Sequence, residues 1–504
     1  MGNQESEELL FNNVKKLDEL LSRFMGFDVQ TELKKKDQEN EYDTEVTAHF
    51  PGSISPLNLK IANDLLEASA KILERQLEDS EGNFNHSIFL THVQETALSL
   101  IFDSYDKSQP DDILRIHRFI EEVSDVGGRT YESAAVSLGI VYFQEDAMNK
   151  AKKSFKDANM EFLPLEKATP FMELYYGEKA FLRLIDNRSM ALVLNETFAV
   201  IGVLRKKNDC RSISSELEEH IFTYNMNAVL ELVYKNTIDK VIASKKEIFE
   251  NIKSKQPELT DENATGNINF FLEQLNNIIE VVHLENQTRK YPDFLYVSVV
   301  NDRLDFYTQN RMTVSLVNGI WKVRHYDLFI ASILQNLMVK KLIDTETFKQ
   351  NKEGYFRLFK TFIDLSREQK SSVYIIIESP DIIHGIEESK AEVLLKGTGF
   401  LHSDRERRSL LAIKRGKENA NLIDLDPYLI QSLSTVDGAV VLDSNLNVLS
   451  FGETISVPDG VRYKGTFGTG STAAQFASKS GIAVKVSEDG DITLYIDQRI
   501  IMKL

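Results

Sequence analysis

The sequence predicts an α+β protein of several domains that ends in a mixed α/β domain. Three observations point there. The chain has 504 residues, too many for one ordinary core, so about three domains of roughly 100 to 200 residues each are expected. Tracts with apolar residues at helical spacing alternate along the chain with short tracts rich in β-branched and aromatic residues. Near residue 370 a helical tract gives way to a continuous β-branched run and then to hairpins, the pattern of a separate mixed domain.

The first expected domain, residues 1–160, is α+β and sensor-like. Leu9, Leu10, Val14, Leu17, Leu20, Leu21 and Phe24 recur at helix spacing. EYDTEVTAHF then reads as a strand, LKIANDLLEASAKILERQL and QETALSLIFDSY as helices, and SAAVSLGIVYF as a buried strand. The second region, residues 161–345, combines helices with a β-meander. FLRLIDNRSMALVLNETFAVIGVLRKK reads as consecutive short strands, and FLYVSVVNDRLDFYTQNRMTVSLVNGIWKVRHY as a meander turning at NDR, QNR and NG. Long helices are expected between them, at about 213–253 and 268–285, with stripes of Phe, Leu and Ile that read as core packing. Trp321 reads as an anchor of that sheet.

The third domain, residues 346–504, begins with the helix YFRLFKTFIDLSREQK, followed by SSVYIIIES, a strand of the kind buried on both faces. A polar stretch (SDRERRS, then IKRGKEN) precedes the hairpin DGAVVLD-SNLN-VLSFGE. Then come the glycine-rich GTFGTGSTAAQFASKSG, a short helix, the strand IAVKVS, the turn EDGD and a last strand ITLYID.

Composition narrows the functions. A formal net charge of −18 repels polyanions and argues against nucleic acid as a partner. No apolar run is long enough to cross a bilayer, and MGNQESEELL lacks the basic stretch and apolar core of a secretory signal, so no membrane partner is expected and a cytoplasmic protein is. The single cysteine, Cys210, excludes a disulfide framework, and the nine histidines fall in no zinc-binding spacing.

The glycine-rich stretch allows several readings. As a Walker A loop, Gly465 to Thr472 has the frame GxxxxG-Ser-Thr, but Ser471 stands where the lysine is needed and no buried strand precedes it. As a dinucleotide fingerprint, Gly468-Thr-Gly470-Ser-Thr-Ala473 has GxGxxA spacing, again without the preceding strand. What remains is more general: glycines let the backbone approach a ligand, and unpaired N–H groups at a helix start near Ser471 to Ala474 favour an anion, with Thr469, Ser471 and Thr472 adding hydroxyl donors. The alternative is purely structural, with Ser471 or Thr472 capping the helix and Gly481 stopping it.

Three stretches in order, Asp437-Gly438-Ala439, the loop GTGSTAA from Gly468 to Ala474, and Val486-Ser487-Glu488-Asp489, together resemble the diadenylate cyclase (DAC) domain. That family has a DGA motif, a GTRHRAA loop and a VSEE segment. VYIIIES resembles its opening GALIVIE strand, and FLRLIDNRSMALVLNETFAVIGVLR resembles sensor regions found upstream of such domains. The resemblance covers roughly residues 350–504. It implies a central mixed sheet flanked by helices, and the condensation of two ATP molecules into cyclic di-AMP between two facing subunits, hence a homo-oligomer.

Carried over residue by residue, the resemblance implies that Asp437 binds Mg²⁺ or Mn²⁺ and orients the attacking 3′-hydroxyl, and that Gly438 and Ala439 let the nucleotide lie close to the backbone. It further implies that Gly468, Thr469, Gly470, Ser471 and Thr472 cradle phosphate, and that Ser487 and Glu488 border phosphates and metal. Two features depart from the family. Gly470-Ser471-Thr472 replaces its Arg-His-Arg, removing two guanidinium groups, and Val436 replaces its usual histidine before DGA. Arg462, Lys464, Lys485 and the cluster Arg405, Arg407 and Arg408 are the basic residues that could substitute. Three functions stay open: a divergent cyclase governed by upstream sensors, a degenerate nucleotide-binding module without turnover, and a scaffold whose loop is only a helix cap.

Overall fold

The computed structural model describes residues 2–35, 42–52, 54–79, 85–102, 110–131, 134–143, 160–177, 184–207, 294–300, 303–308, 313–340, 345–377, 420–455 and 468–504, with shorter pieces between them. The chain forms two compact units, one of residues 1–49 and 56–328 and the other of residues 50–55 and 329–504. It is an α+β multidomain protein, as expected.

The first unit opens with helix α1 (Gly2–Met25), whose Leu10, Val14, Leu17, Leu21 and Phe24 are buried along one stripe. The antiparallel pair β1 (Val29–Lys35) and β2 (Tyr42–Ala48) follows, then α2 (Lys60–Asp79), α3 (His86–Ile101) and α4 (Pro110–Gly127). Asn85 starts α3 by accepting from Ser87 N at 2.9 Å, which satisfies one of the helix's orphan donors.

After the short ladder β3 (Thr130–Tyr131) and β4 (Ala134–Ala135) come β5 (Ser137–Tyr142), β6 (Met160–Pro170), α5 (Phe171–Gly177), β7 (Met190–Leu194) and β8 (Ala199–Lys206). The meander β9 (Leu295–Val300), β10 (Arg303–Tyr307), β11 (Thr313–Val317) and β12 (Ile320–Arg324) completes the unit. Eight of these strands make one sheet in the order β12-β11-β10-β9-β5-β7-β8-β6, with β5 and β7 its parallel pair. β5 comes from the stretch expected to form the first domain, whereas its neighbours β7 and β9 come from the second, so the sheet crosses residue 160.

The last turn of the meander falls where its sequence says it should, while the turns expected at NDR and QNR fall on or beside residues outside the described ones. Asn318 and Gly319 have φ of 51° and 73°, the mirror-image turn that Asn-Gly favours. Trp321 packs on Phe306 with ring centroids 5.9 Å apart, consistent with an anchoring role. Residues 213–218 and 229–236 are helical. The helix expected at 268–285, the Cys210 setting and the polar stretch from SDRERRS to IKRGKEN lie outside the described residues.

The second unit is built on α6 (Tyr326–Val339), which begins at the end of the first, and α7 (Thr345–Arg367). β13 (Ser372–Ile377) is buried along its whole length, as its β-branched run requires. Then come α8 (Pro427–Ser434), the hairpin β14 (Ala439–Asp443) and β15 (Val448–Glu453), α9 (Thr469–Ala477), β16 (Gly481–Val486), β17 (Ile492–Ile496) and β18 (Arg499–Lys503). The strands form a six-stranded sheet in the order β15-β14-β13-β16-β17-β18, mixed because β13 and β14 run parallel and the rest antiparallel.

Helices cover both faces of this sheet. α9 packs its Ala474 and Ala477 with Val373, Ile375, Ala439, Val441 and Ala483 on one face. On the other, Phe362 of α7 meets Tyr374 edge-on with centroids 5.0 Å apart, and the Tyr374 hydroxyl pairs with Ser434 of α8. β17 is not the last strand: Asp497 and Gln498, with φ of 49° and 62°, turn the chain into β18.

Candidate functional site

Strand order decides which motifs meet. β13 and β14 start at the same end of the sheet, and β15 and β16, antiparallel to them, finish there. The register aligns Glu453, Ala439, Val373 and Lys485 across four adjacent strands. Partners in such a row share a face, about 4.8 Å apart from strand to strand. Asp437-Gly438 enters β14 at this end, and Ser487, Glu488 and Asp489 leave β16 at the same end. DGA and VSED are therefore brought to one edge, and helix α9 lies over the row between them.

Gly438 has φ of +111°, and a Cβ there would fall 2.5 Å from the carbonyl carbon of Gly452 and 2.7 Å from Glu453 N. Both conformation and space demand glycine. Asp437, exposed, is thus held at the lip of the sheet, and Ala439 is buried beneath it.

Gly468 is the N-cap of α9, with φ of +87° and no side-chain cap hydrogen bond. Helix α9 starts at Thr469, so Ser471 and Thr472 lie inside the first turn and neither caps it. Thr472 Oγ1 donates to Gly468 O at 3.0 Å, and Ser471 hydrogen-bonds Tyr495. Two of the three expected hydroxyl donors are thus engaged within the protein, leaving exposed Thr469 and the first-turn amides as the groups free to meet an anion. The helix ends at Ser478, its C-cap; Gly481 instead opens β16, where a Cβ would strike Ile376 O at 2.0 Å.

A positive charge lies beneath this turn. Lys485 interrupts an otherwise apolar strand and is 8% exposed. A Cβ built on Gly470 would sit 3.3 Å from Lys485 Cε and 3.5 Å from Nζ, with Val373 Cγ2 at 3.7 Å. Gly470 is therefore the residue that gives the ammonium room under the helix start. Lys485 Nζ donates to the Ser371 hydroxyl, a neutral partner. Burial lowers the lysine's pKa below the ordinary value, while the exposed carboxylates of Glu488 and Asp489 pull it back up. A buried ammonium beside the positive end of a helix is unfavourable unless an anion joins them. The other basic candidates, Arg462, Lys464 and the Arg405 cluster, lie outside the described residues.

Among the described residues no three His, Cys, Asp or Glu side chains converge as a metal site. Asp437 and Glu488 fit Mg²⁺ or Mn²⁺ only in the manner of an ion that arrives with phosphate oxygens and takes one or two carboxylates from the protein. Ser487 is partly buried and its amide donates to Asp491 O at 2.8 Å, which shapes the turn that carries Glu488.

A scan against protein-family models finds no match, and a comparison with curated proteins finds none either. Among solved structures the chain is similar to a double mutant of DacA from Staphylococcus aureus, at 15% identity over 31% of this chain and 89% of that one, with a TM-score of 0.20. It is also similar to a hypothetical membrane spanning protein from Bacillus cereus, at 12% identity over 55% of this chain and 95% of that one, with a TM-score of 0.23. At such scores neither likeness bears on the site, and what the site can do follows from its own residues. Among the described residues no helix is long and apolar enough to cross a membrane.

Proposed function

We propose that the second unit is a divergent diadenylate cyclase domain that binds ATP at this sheet edge, under control of the upstream sensor-like regions. The observation that carries the reading is Lys485, a buried ammonium under the uncapped start of α9, at the edge where Asp437 and Glu488 also emerge. It answers the electrostatic objection raised by Gly470-Ser471-Thr472: charge comes from the strand below the loop. The amides of Thr469, Gly470 and Ser471 bind phosphate oxygens, and Lys485 offsets their charge.

In this reading Asp437 holds the divalent cation with the nucleotide's phosphates and orients the 3′-hydroxyl of the ATP bound by the facing copy. The cation supplies charge neutralisation at the reacting phosphate. The 3′-oxygen forms a new bond to the α-phosphorus, the α–β bridging bond breaks, pyrophosphate leaves with the bonding pair, and the hydroxyl proton passes to Asp437. Two such steps close cyclic di-AMP. Gly438 and Ala439 keep the floor low, and Glu488 borders the phosphates.

A second reading retains binding without turnover. One ammonium supplies a point charge where the family pattern has two planar forks, and that loss of geometry favours a sensor module. One experiment separates the two: purified protein is incubated with ATP and Mg²⁺ or Mn²⁺, and both bound ATP and cyclic dinucleotide are measured. Product supports the cyclase. Saturable ATP binding without product supports the module, and neither binding nor product leaves the helix start as a purely structural feature.

A further inference from the structure

Glu453 ends β15 directly beside the Asp437-Gly438 turn. It is 1% exposed and faces Ala439 across the ladder. Its Oε2 accepts from the Ser450 hydroxyl at 2.6 Å, whereas Oε1, also buried, has no hydrogen-bond partner among the described residues. A buried carboxylate oxygen with nothing to accept from is costly. A ligand that supplied the partner would remove that cost.

Position narrows the ligand. The Gly452–Glu453 peptide is in contact with Gly438, so the backbones of Asp437 and Glu453 are about one strand spacing apart. Glu488, by contrast, follows β16, which runs two strands beyond β14, about 10 Å from it across the sheet. A single Mg²⁺ or Mn²⁺ demands its ligands at about 2.0–2.2 Å, a reach that two carboxylates on neighbouring strands satisfy.

We propose that Glu453 is the second carboxylate ligand of the divalent cation held by Asp437, entering from β15 through Oε1, while Glu488 stays outside the ion's inner sphere and faces Lys485. The inference rests on the nucleotide reading of this edge. It adds a ligand that the DGA pattern does not contain, and it gives the buried glutamate at the end of β15 a partner for its second oxygen.

The test uses the full chain and Mn²⁺, followed by electron paramagnetic resonance with and without a non-hydrolysable ATP analogue. Glu453→Gln, which keeps the side-chain shape and an acceptor for Ser450, is expected to weaken Mn²⁺ binding about tenfold or more, the scale of losing a metal-site contact. Glu488→Gln, which alters only the border of the phosphates, is expected to weaken it less than Glu453→Gln does, and metal-free binding of the analogue to persist in Glu453→Gln. Wild-type Mn²⁺ affinity in Glu453→Gln, alongside weakened affinity in Asp437→Asn, overturns the inference and leaves the nucleotide reading standing. Absence of analogue binding to the wild type in the presence of Mn²⁺ overturns both.

A measurement on the unmodified chain removes dependence on the variants' folding. Fe²⁺ with ascorbate and peroxide cleaves the backbone near a bound ion, and mass spectrometry locates the cuts. Cuts suppressed by Mg²⁺ are expected at 437–438 and 452–453. Cuts confined to 487–489 refute the assignment.

Discussion

Replacing Lys485 by methionine should move stability and ligand affinity in opposite directions. Methionine matches the lysine stem and removes the charge, so the strand keeps its packing beside Val373 and Gly470. In the free protein the ammonium faces the positive end of α9 with a neutral hydroxyl as its hydrogen-bond acceptor. A charge of the wrong sign at a helix end costs about 0.3–1 kcal/mol, and more when partly buried. Lys485→Met should therefore stabilise the second unit by about 1 kcal/mol, an upward Tm shift of roughly 2–4 °C. A charged contact to phosphate contributes about 1.5–3 kcal/mol, so the same change should weaken ATP binding by roughly 10- to 150-fold. Calorimetric titration with ATP and Mg²⁺, beside thermal unfolding without ligand, reads both numbers.

The same residue sets a pH signature. Burial lowers the lysine's pKa below 10.5 despite Glu488 and Asp489, so the folded protein releases this proton before the unfolded chain does. Stability of the free protein therefore rises with pH as that range is crossed, whereas ATP affinity falls as the ammonium discharges. Lys485→Met should show neither dependence. Unchanged ATP affinity in the variant, or a loss of stability without ligand, would refute the electrostatic account of the site.

Gly470→Arg should displace Lys485, whose Cε lies 3.3 Å from the new Cβ position, and should abolish ATP binding in titration; in the Lys485→Met background the same arginine should recover part of it. In the first unit, Asp305 is buried with Arg303 at 2.8 Å and accepts from Ser315. Asp305→Asn withdraws the carboxylate from a buried guanidinium and should cost about 3–5 kcal/mol in denaturant unfolding. His325 is buried against Phe27, and burial pushes its pKa down to about 4. The unfolded histidine takes up its proton near 6.5, so stability should fall by about 3 kcal/mol as pH drops from 6.5 to 4. His325→Phe should flatten that part of the unfolding profile.

Local pattern made the long elements legible. The apolar stripe of α1, the β-branched run of β13 and the Asn-Gly turn before β12 each state their structure within a few residues. The elements missed include β1, α4, β6, α5, α6, α8 and β18. VQTELKK and RIIMK each pair with a neighbour across a connection whose sequence lacks an Asn-Gly or Asp-Gly signal. In α8 the start is announced by Asp426, which accepts from Tyr428 N at 2.9 Å, and by Pro427, but the helix is too short to show a period. The pairing of β5 with β7 and β9 joins segments far apart in sequence, and no local pattern encodes it.

The site was legible as three separate stretches. Their meeting at one edge depends on β13 lying between β14 and β16, which motif order does not specify. Lys485 stands out in the sequence as a charge within an apolar strand, yet the group it faces is fixed only by how α9 docks. Glu453 gave less warning still, because a glutamate at the end of a hairpin strand reads as a solvated terminus until its burial is known.

The location of the cation changes what the site can select. An arginine in the loop would grip phosphate through two fixed N–H donors and bring geometric specificity with its charge. Lys485 instead sits under the first turn of α9, where the same phosphate would meet backbone amides from the helix and a point charge from the strand. In that reading the amides would fix position and the ammonium sign, dividing between α9 and β16 the two functions that a loop arginine combines. Gly470 suits that division, because a Cβ there would press on the end of Lys485, 3.3 Å from its Cε. The absence of arginine from the loop and the presence of lysine in the strand then read as two sides of one packing solution, in which an arginine at position 470 would crowd the lysine.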